Sequence, residues 1–164
     1  MKMSFIFGII VFITVSFAMI ETQAQSDGCT AATAIPITVN CSSPVSGTTA
    51  AATQTIAGCV GTADDDVWYT FTATATSHII TVTPSAGMDP VVQLFSGDCS
   101  TLTSLNCMDQ GVSGDAETIY ATGLTIGVVY KIRIYHYYTG YGTGTFTVCI
   151  TTAPPAPSND NCSN

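Results

Sequence analysis

A chain of 164 residues with 3 Lys and Arg against 11 Asp and Glu carries a net charge of −8. Such a surface cannot neutralise a run of phosphates, which makes nucleic acid and anionic membrane poor partners on electrostatic grounds. Only 9% of residues are charged while 46% are hydrophobic, and a chain of this length supports one buried core rather than two.

Met1-Lys2-Met3-Ser4 is a short basic start, Phe5 to Ile20 an unbroken apolar run, and Thr22-Gln23-Ala24 a small-residue cleavage pattern, so residues 1–24 read as a secretory signal peptide cut after Ala24. The apolar run is shorter than the roughly 18 residues a membrane span requires, which argues against insertion. The expected product is secreted or displayed at the cell surface. Removal takes Lys2 and Glu21 together and leaves Lys131 and Arg133 as the only lysine and arginine.

The chain contains 7 cysteines, and every one lies in the exported part. In an oxidising compartment they are expected to pair. None shows the Cys-x-x-Cys spacing of a zinc or redox site. Ser26-Asp27-Gly28-Cys29-Thr30 is echoed by Asn159-Asp160-Asn161-Cys162-Ser163, after the extended linker Ala153-Pro154-Pro155-Ala156-Pro157. Residues 25–152 are therefore expected to form one module, with residues 153–164 a Pro-rich linker and the start of a truncated second repeat that leaves Cys162 unpaired. Local closure pairs Cys99 with Cys107 and Cys29 with Cys41, leaving Cys59 with Cys149. Six cysteines keep other connectivities open.

Alternation of apolar and polar residues predicts strands over 34–39, 45–51, 67–73, 78–83, 91–95, 118–121, 128–136 and 143–151, separated by Gly, Ser and Asp turn signals. No stretch of the exported chain shows helical periodicity. In the strand that carries the only tryptophan, Val67, Tyr69, Phe71 and Ala73 share one face and Trp68, Thr70 and Thr72 the other. The other inward sets are Ile80 with Val82, Val92 with Leu94, Val128, Tyr130, Ile132 and Ile134, and Phe146 with Val148 and Ile150. Lys131 and Arg133 then point outward with Val129 and Tyr135, and a one-residue slip would turn both cations inward. These strands predict an all-β fold: a two-sheet antiparallel β-sandwich stapled by disulfides.

Four stretches resemble the bacterial pre-peptidase C-terminal domain and its relatives in large secreted surface proteins. They are Asp66-Val67-Trp68-Tyr69-Thr70-Phe71; Met88-Asp89-Pro90-Val91-Val92-Gln93-Leu94-Phe95-Ser96-Gly97-Asp98-Cys99; Leu124 with Gly127-Val128-Val129-Tyr130-Lys131-Ile132-Arg133-Ile134; and Gly142-Thr143-Gly144-Thr145-Phe146-Thr147-Val148. The resemblance implies a jelly-roll-like sandwich, often repeated, beside peptidase or adhesive domains and handled by type IX secretion. The chain departs from the commoner pattern at Cys107-Met108-Asp109-Gln110, where relatives carry two adjacent acids.

Two groups are candidates for binding. Asp64, Asp65, Asp66, Asp89 and Asp109 supply oxygen ligands of the kind calcium takes, although aspartates in turns are also ordinary turn formers. Tyr137, Tyr138 and Tyr141 offer broad apolar faces with polar tips, suited to a glycan or a protein surface, or to capping the core. Catalysis lacks a signature: His78 and His136 are the only histidines, and there is no Gly-x-Ser-x-Gly elbow, His-Glu-x-x-His, phosphate loop or dinucleotide fingerprint. The expected function is a non-catalytic module for adhesion, ligand binding or spacing, requiring no cofactor, within a larger secreted or cell-surface protein. The alternative is an accessory domain that binds substrate or assists export for a secreted hydrolase such as a peptidase.

Overall fold

The computed structural model describes residues 26–38, 40–140 and 144–154. After a single 3-10 turn at Cys29–Ala31 come nine strands: β1 Thr33–Ala34, β2 Val45–Thr48, β3 Val67–Thr72, β4 Ser77–Pro84, β5 Pro90–Ser96, β6 Thr103–Met108, β7 Glu117–Thr122, β8 Val129–His136 and β9 Thr145–Thr152. They form a five-stranded sheet in the order β1-β3-β8-β5-β6 and a four-stranded sheet in the order β2-β9-β4-β7. This is the two-sheet sandwich that the alternation predicts. Every pairing is antiparallel except β1 with β3 and the isolated bridge from Ile37 to Ile150. The first extended segment therefore binds one sheet through β3 and then the other through β9.

The core lies between the sheets and follows the pleat. Val67, Tyr69, Phe71 and Ala73 meet Ile132, Ile134, Val92 and Leu94 from their own sheet, and Ile80, Val82, Val148 and Ile150 from the other. Val128 departs from its predicted inward set: it precedes β8 and is 40% exposed. Strand β6 was not anticipated, because its Thr-Ser-Leu-Asn-Cys-Met run lies on a sheet edge, largely exposed, and has no apolar face to declare it.

The outer face of the larger sheet carries a second buried layer. Trp68 pairs with Arg133, Arg133 with Gln93, and Gln93 with Cys107, so four strands place these side chains in one row. Residues 49–66 cross over that row and seal it. Arg133 points outward as its register requires, yet it is 0% exposed, because this covering loop takes the place of water. Its guanidinium donates to Ile56 O at 2.8 Å, Ala57 O at 2.9 Å, Gln93 Oε1 at 2.8 Å and Asp66 Oδ2 at 3.2 Å. It also lies 4.9 Å from the Tyr135 ring centroid and 5.7 Å from that of Trp68. A buried ion is tolerable only when paired and hydrogen-bonded in this way.

The three disulfides correct the expected pairing. Cys29 joins Cys99, Cys41 joins Cys149 and Cys59 joins Cys107, with Cα separations of 5.6, 5.5 and 6.4 Å. Neither Cys99–Cys107 nor Cys29–Cys41 forms. Cys107 points out from β6 to meet the covering loop, so the local-closure argument fails where strand direction decides which way a cysteine faces. Cys162 and the proposed second repeat lie outside the described residues.

Candidate functional site

Antiparallel pairing brings the predicted polar residues to one end of the sandwich. The register of Val67 with Ile134, Pro90 with His136, Val92 with Met108 and Val82 with Glu117 places the starts of β3, β5 and β7 beside the ends of β4, β6 and β8. Asp64, Asp65, Asp66, Asp89, Asp109, Tyr137 and Tyr138 all flank those strand ends. Tyr141 lies outside the described residues. Asp115, in the turn before β7, and Glu117, the first residue of β7, belong to the same end.

The three consecutive aspartates have different tasks. Asp64 Oδ2 accepts the Gly140 N–H at 3.2 Å, and Asp65 Oδ1 accepts the His136 N–H at 3.0 Å. Asp66 turns to the outer face, where it accepts from Trp68 Nε1 at 3.1 Å, from the Thr55 hydroxyl and from Arg133. Glu117 Oε1 accepts the N–H groups of Gln110 and Gly111 at 2.9 and 2.5 Å, which fixes the turn after β6. Two buried carboxylate oxygens, Asp65 Oδ2 and Asp89 Oδ1, have no hydrogen-bond partner among the described residues.

The electrostatics follow from this crowding. Burial raises the Asp65 pKa, helped by the charge on Asp64; the Thr49 hydroxyl opposes the rise without closing a hydrogen bond. Asp89 is raised by burial and by Asp115, against the pull of His136, and Asp109 by burial, Asp89 and Glu117. The described residues hold one lysine and one arginine. Arg133 is matched by Asp66, and Lys131 pairs across to Thr70 and Phe95, away from the acids.

A cleft of about 260 Å³ opens at this end of the sandwich, lined by Gly87, Ser113, His136 and Tyr138. Tyr138 is 52% exposed. It stands edge-on to His136 at 5.8 Å and to Tyr137 at 4.8 Å between ring centroids. Tyr137 packs inward against the cluster of Ala63, Val91 and Tyr135. Tyr137 thus helps cap a buried cluster, while Tyr138 stands exposed.

The five aspartates named as candidate calcium ligands are divided among separate turns. Among the described residues, no group of three or more His, Cys, Asp or Glu side chains gathers closely enough to hold a metal, and Asp66 is committed to Arg133. His136 Nδ1 accepts the Tyr138 N–H at 3.3 Å, and Asp65 accepts the His136 backbone N–H. His78 accepts the Thr74 and Ala75 N–H groups on Nε2 and faces Thr151 O through Nδ1, so it secures a turn.

The two facing sheets and their disulfides define a bridged β-sandwich domain. Residues 25–148 match the galactose-binding domain-like family associated with type IX secretion, and the chain belongs to that family. Its association with an export system and the three disulfides agree with an exported protein, and no helix among the described residues is long and apolar enough to cross a membrane. Among solved structures, the chain is similar to the pre-peptidase C-terminal domain of a collagenase from Bacillus anthracis. The identity is 16%, the match covers 73% of this chain and 93% of that one, and the TM-score is 0.47. No curated protein sequence matches.

Proposed function

We propose that this chain is a non-catalytic recognition module of a larger exported protein, holding an extracellular glycan or protein surface at its acidic, tyrosine-bearing end. The observation that carries the reading is the exposed Tyr138 ring, which lines one cleft with His136, Gly87 and Ser113 at the end of the sandwich that also bears the acidic turns. A half-exposed aromatic ring on a cleft wall is suited to a binding surface. The family membership supports the same role, as do a charge balance that disfavours nucleic acid and histidines engaged in backbone contacts.

The test is a binding screen of the oxidised chain against immobilised glycans and extracellular proteins, repeated with Tyr138→Ala. Loss of binding with an unchanged melting temperature supports the reading. Binding that survives both Tyr138→Ala and Asp115→Asn would move the site elsewhere on the domain.

A further inference from the structure

The two sheets end in four edge strands, β1, β6, β2 and β7, and one of them is unguarded. An edge strand leaves alternate backbone N–H and C=O groups without a partner, and proteins blunt such rows with short strands, bulges, prolines or charges. Strand β1 has two residues, and β2 has four with Gly47 among them. Strand β6 carries a bulge: Leu94 faces Asn106 and Phe95 faces Ser104, so Leu105 is the extra residue. Strand β7 has none of these devices. Its six residues run in unbroken register with β4 and pair with no other strand among the described residues. Its one charge, Glu117, is 2% exposed and held by the Gln110 and Gly111 N–H groups.

A groove of about 500 Å³ runs beside this edge, with Leu94, Leu105, Tyr120, Leu124 and Tyr130 among its lining residues. Leu105, the bulge residue, is 46% exposed there, and Tyr120 of β7 is 68% exposed. Among the described residues, the lining holds no charged side chain and no histidine, so an ionic ligand has nothing to pair with. A sugar could stack on Tyr120 but offers the edge no row of alternating donors and acceptors. A second copy pairing through its own β7 would leave the groove unfilled, because Ile119 and Ala121 of that strand are buried in its own core. An extended segment of another polypeptide meets every condition. Its backbone completes the ladder, alternate side chains enter the groove, and the others lie along Tyr120.

We infer that β7 takes an added strand: an extended, uncharged segment of a partner polypeptide pairs with Glu117–Thr122 and seats its apolar side chains against Leu105 and Leu124. This groove shares no lining residue with the Tyr138 cleft, so it stands or falls independently of the recognition role proposed there.

The experiment titrates the full oxidised chain with a labelled, terminally capped octapeptide of alternating threonine and valine. Two further peptides carry N-methyl groups, one on the threonines and one on the valines. Only the set whose N–H groups face the edge is needed for pairing, so one methylated peptide is expected to bind and the other to fail. Tyr120→Lys is expected to weaken the parent peptide about two- to fivefold, the range of a cross-strand aromatic pair, and Leu105→Asp by a similar factor. Ser46→Lys adds the same charge on the exposed face of β2, at the other edge of that sheet, and is expected to change nothing. Amide hydrogen exchange in β7 is expected to slow on binding while that in β2 stays unchanged. If both methylated peptides bind alike, or Ser46→Lys weakens binding as much as Tyr120→Lys, the edge is not the site and the proposal falls. It falls equally if the parent peptide does not bind, if neutral glycans bind through Tyr120 in its place, or if the chain alone forms a dimer that Tyr120→Lys abolishes.

Discussion

Asp66 Oδ2 lies 3.2 Å from Arg133 Nη1, and neither side chain has any solvent exposure. The pair stands at the centre of the outer layer, between Trp68 and the carbonyls of the covering loop. Arg133→Met leaves the Asp66 charge uncompensated and is expected to cost about 3–5 kcal/mol. The double variant Arg133→Met with Asp66→Leu is expected to recover part of that loss. Urea unfolding of the three proteins measures the difference. A single variant as stable as the parent would mean that the loop, not the ion pair, holds this layer.

The bridge from Cys59 to Cys107 anchors that loop to β6. Replacing both cysteines by serine is expected to lower stability by about 2–4 kcal/mol. It should also shift Trp68 emission to the red, because the indole is sealed by the loop. Loss of stability with unchanged emission would show that Arg133 and the Tyr135 hydroxyl, which donates to Val60 O at 2.6 Å, keep the loop in place without the bridge.

The pH dependence follows from acids whose pKa is raised above 3.8 on folding, Asp65 and Asp89 by burial first. Each binds its proton more readily in the folded chain. Their favourable contribution is therefore complete below the unfolded value and lost as pH rises through the raised folded one. Asp89→Asn and Asp65→Asn are accordingly expected to raise the melting temperature at neutral pH and to change it little near pH 3. Melting curves across that interval check the sign. A fall at neutral pH would show that the charge is already compensated.

Gly47 in β2 leaves room for the ring of Phe146. A Cβ there would lie 2.6 Å from Phe146 Cζ and would also collide with the Tyr69 hydroxyl. Gly47→Ala is expected to cost about 1–3 kcal/mol through overpacking, read by thermal melting. Addition of a chelator is expected to leave the parent's midpoint unchanged, since the acids do not gather as metal ligands.

The sandwich was legible in the strands because a buried face has to repeat every second residue. Val67, Tyr69 and Phe71 in β3, and Phe146, Val148 and Ile150 in β9, announce their direction without any contact being known. Strand β6 was not legible, since an exposed edge strand needs no apolar side. The fate of Arg133 was half legible. Alternation gives its face, but whether that face meets water depends on a loop whose path has no periodicity. The cysteine pairing failed for the same reason: proximity in the chain says nothing of which side of a strand a thiol leaves. At the acidic end, the aspartates could be nominated individually, whereas the nearness of Asp89 to Asp115 and of Asp109 to Glu117 comes from strand order alone.

The sequence separations of the three bridges are 70, 108 and 48 residues, which sets an order of assembly. A polypeptide delivered from its amino end can close Cys59–Cys107 and Cys29–Cys99 while β9 is still in transit. Cys41 must wait for Cys149, and β9 is the strand that joins β2 to β4. The smaller sheet is therefore completed and covalently sealed last, so a chain stalled late in delivery should display one reactive thiol at Cys41 while its other two bridges are already shut.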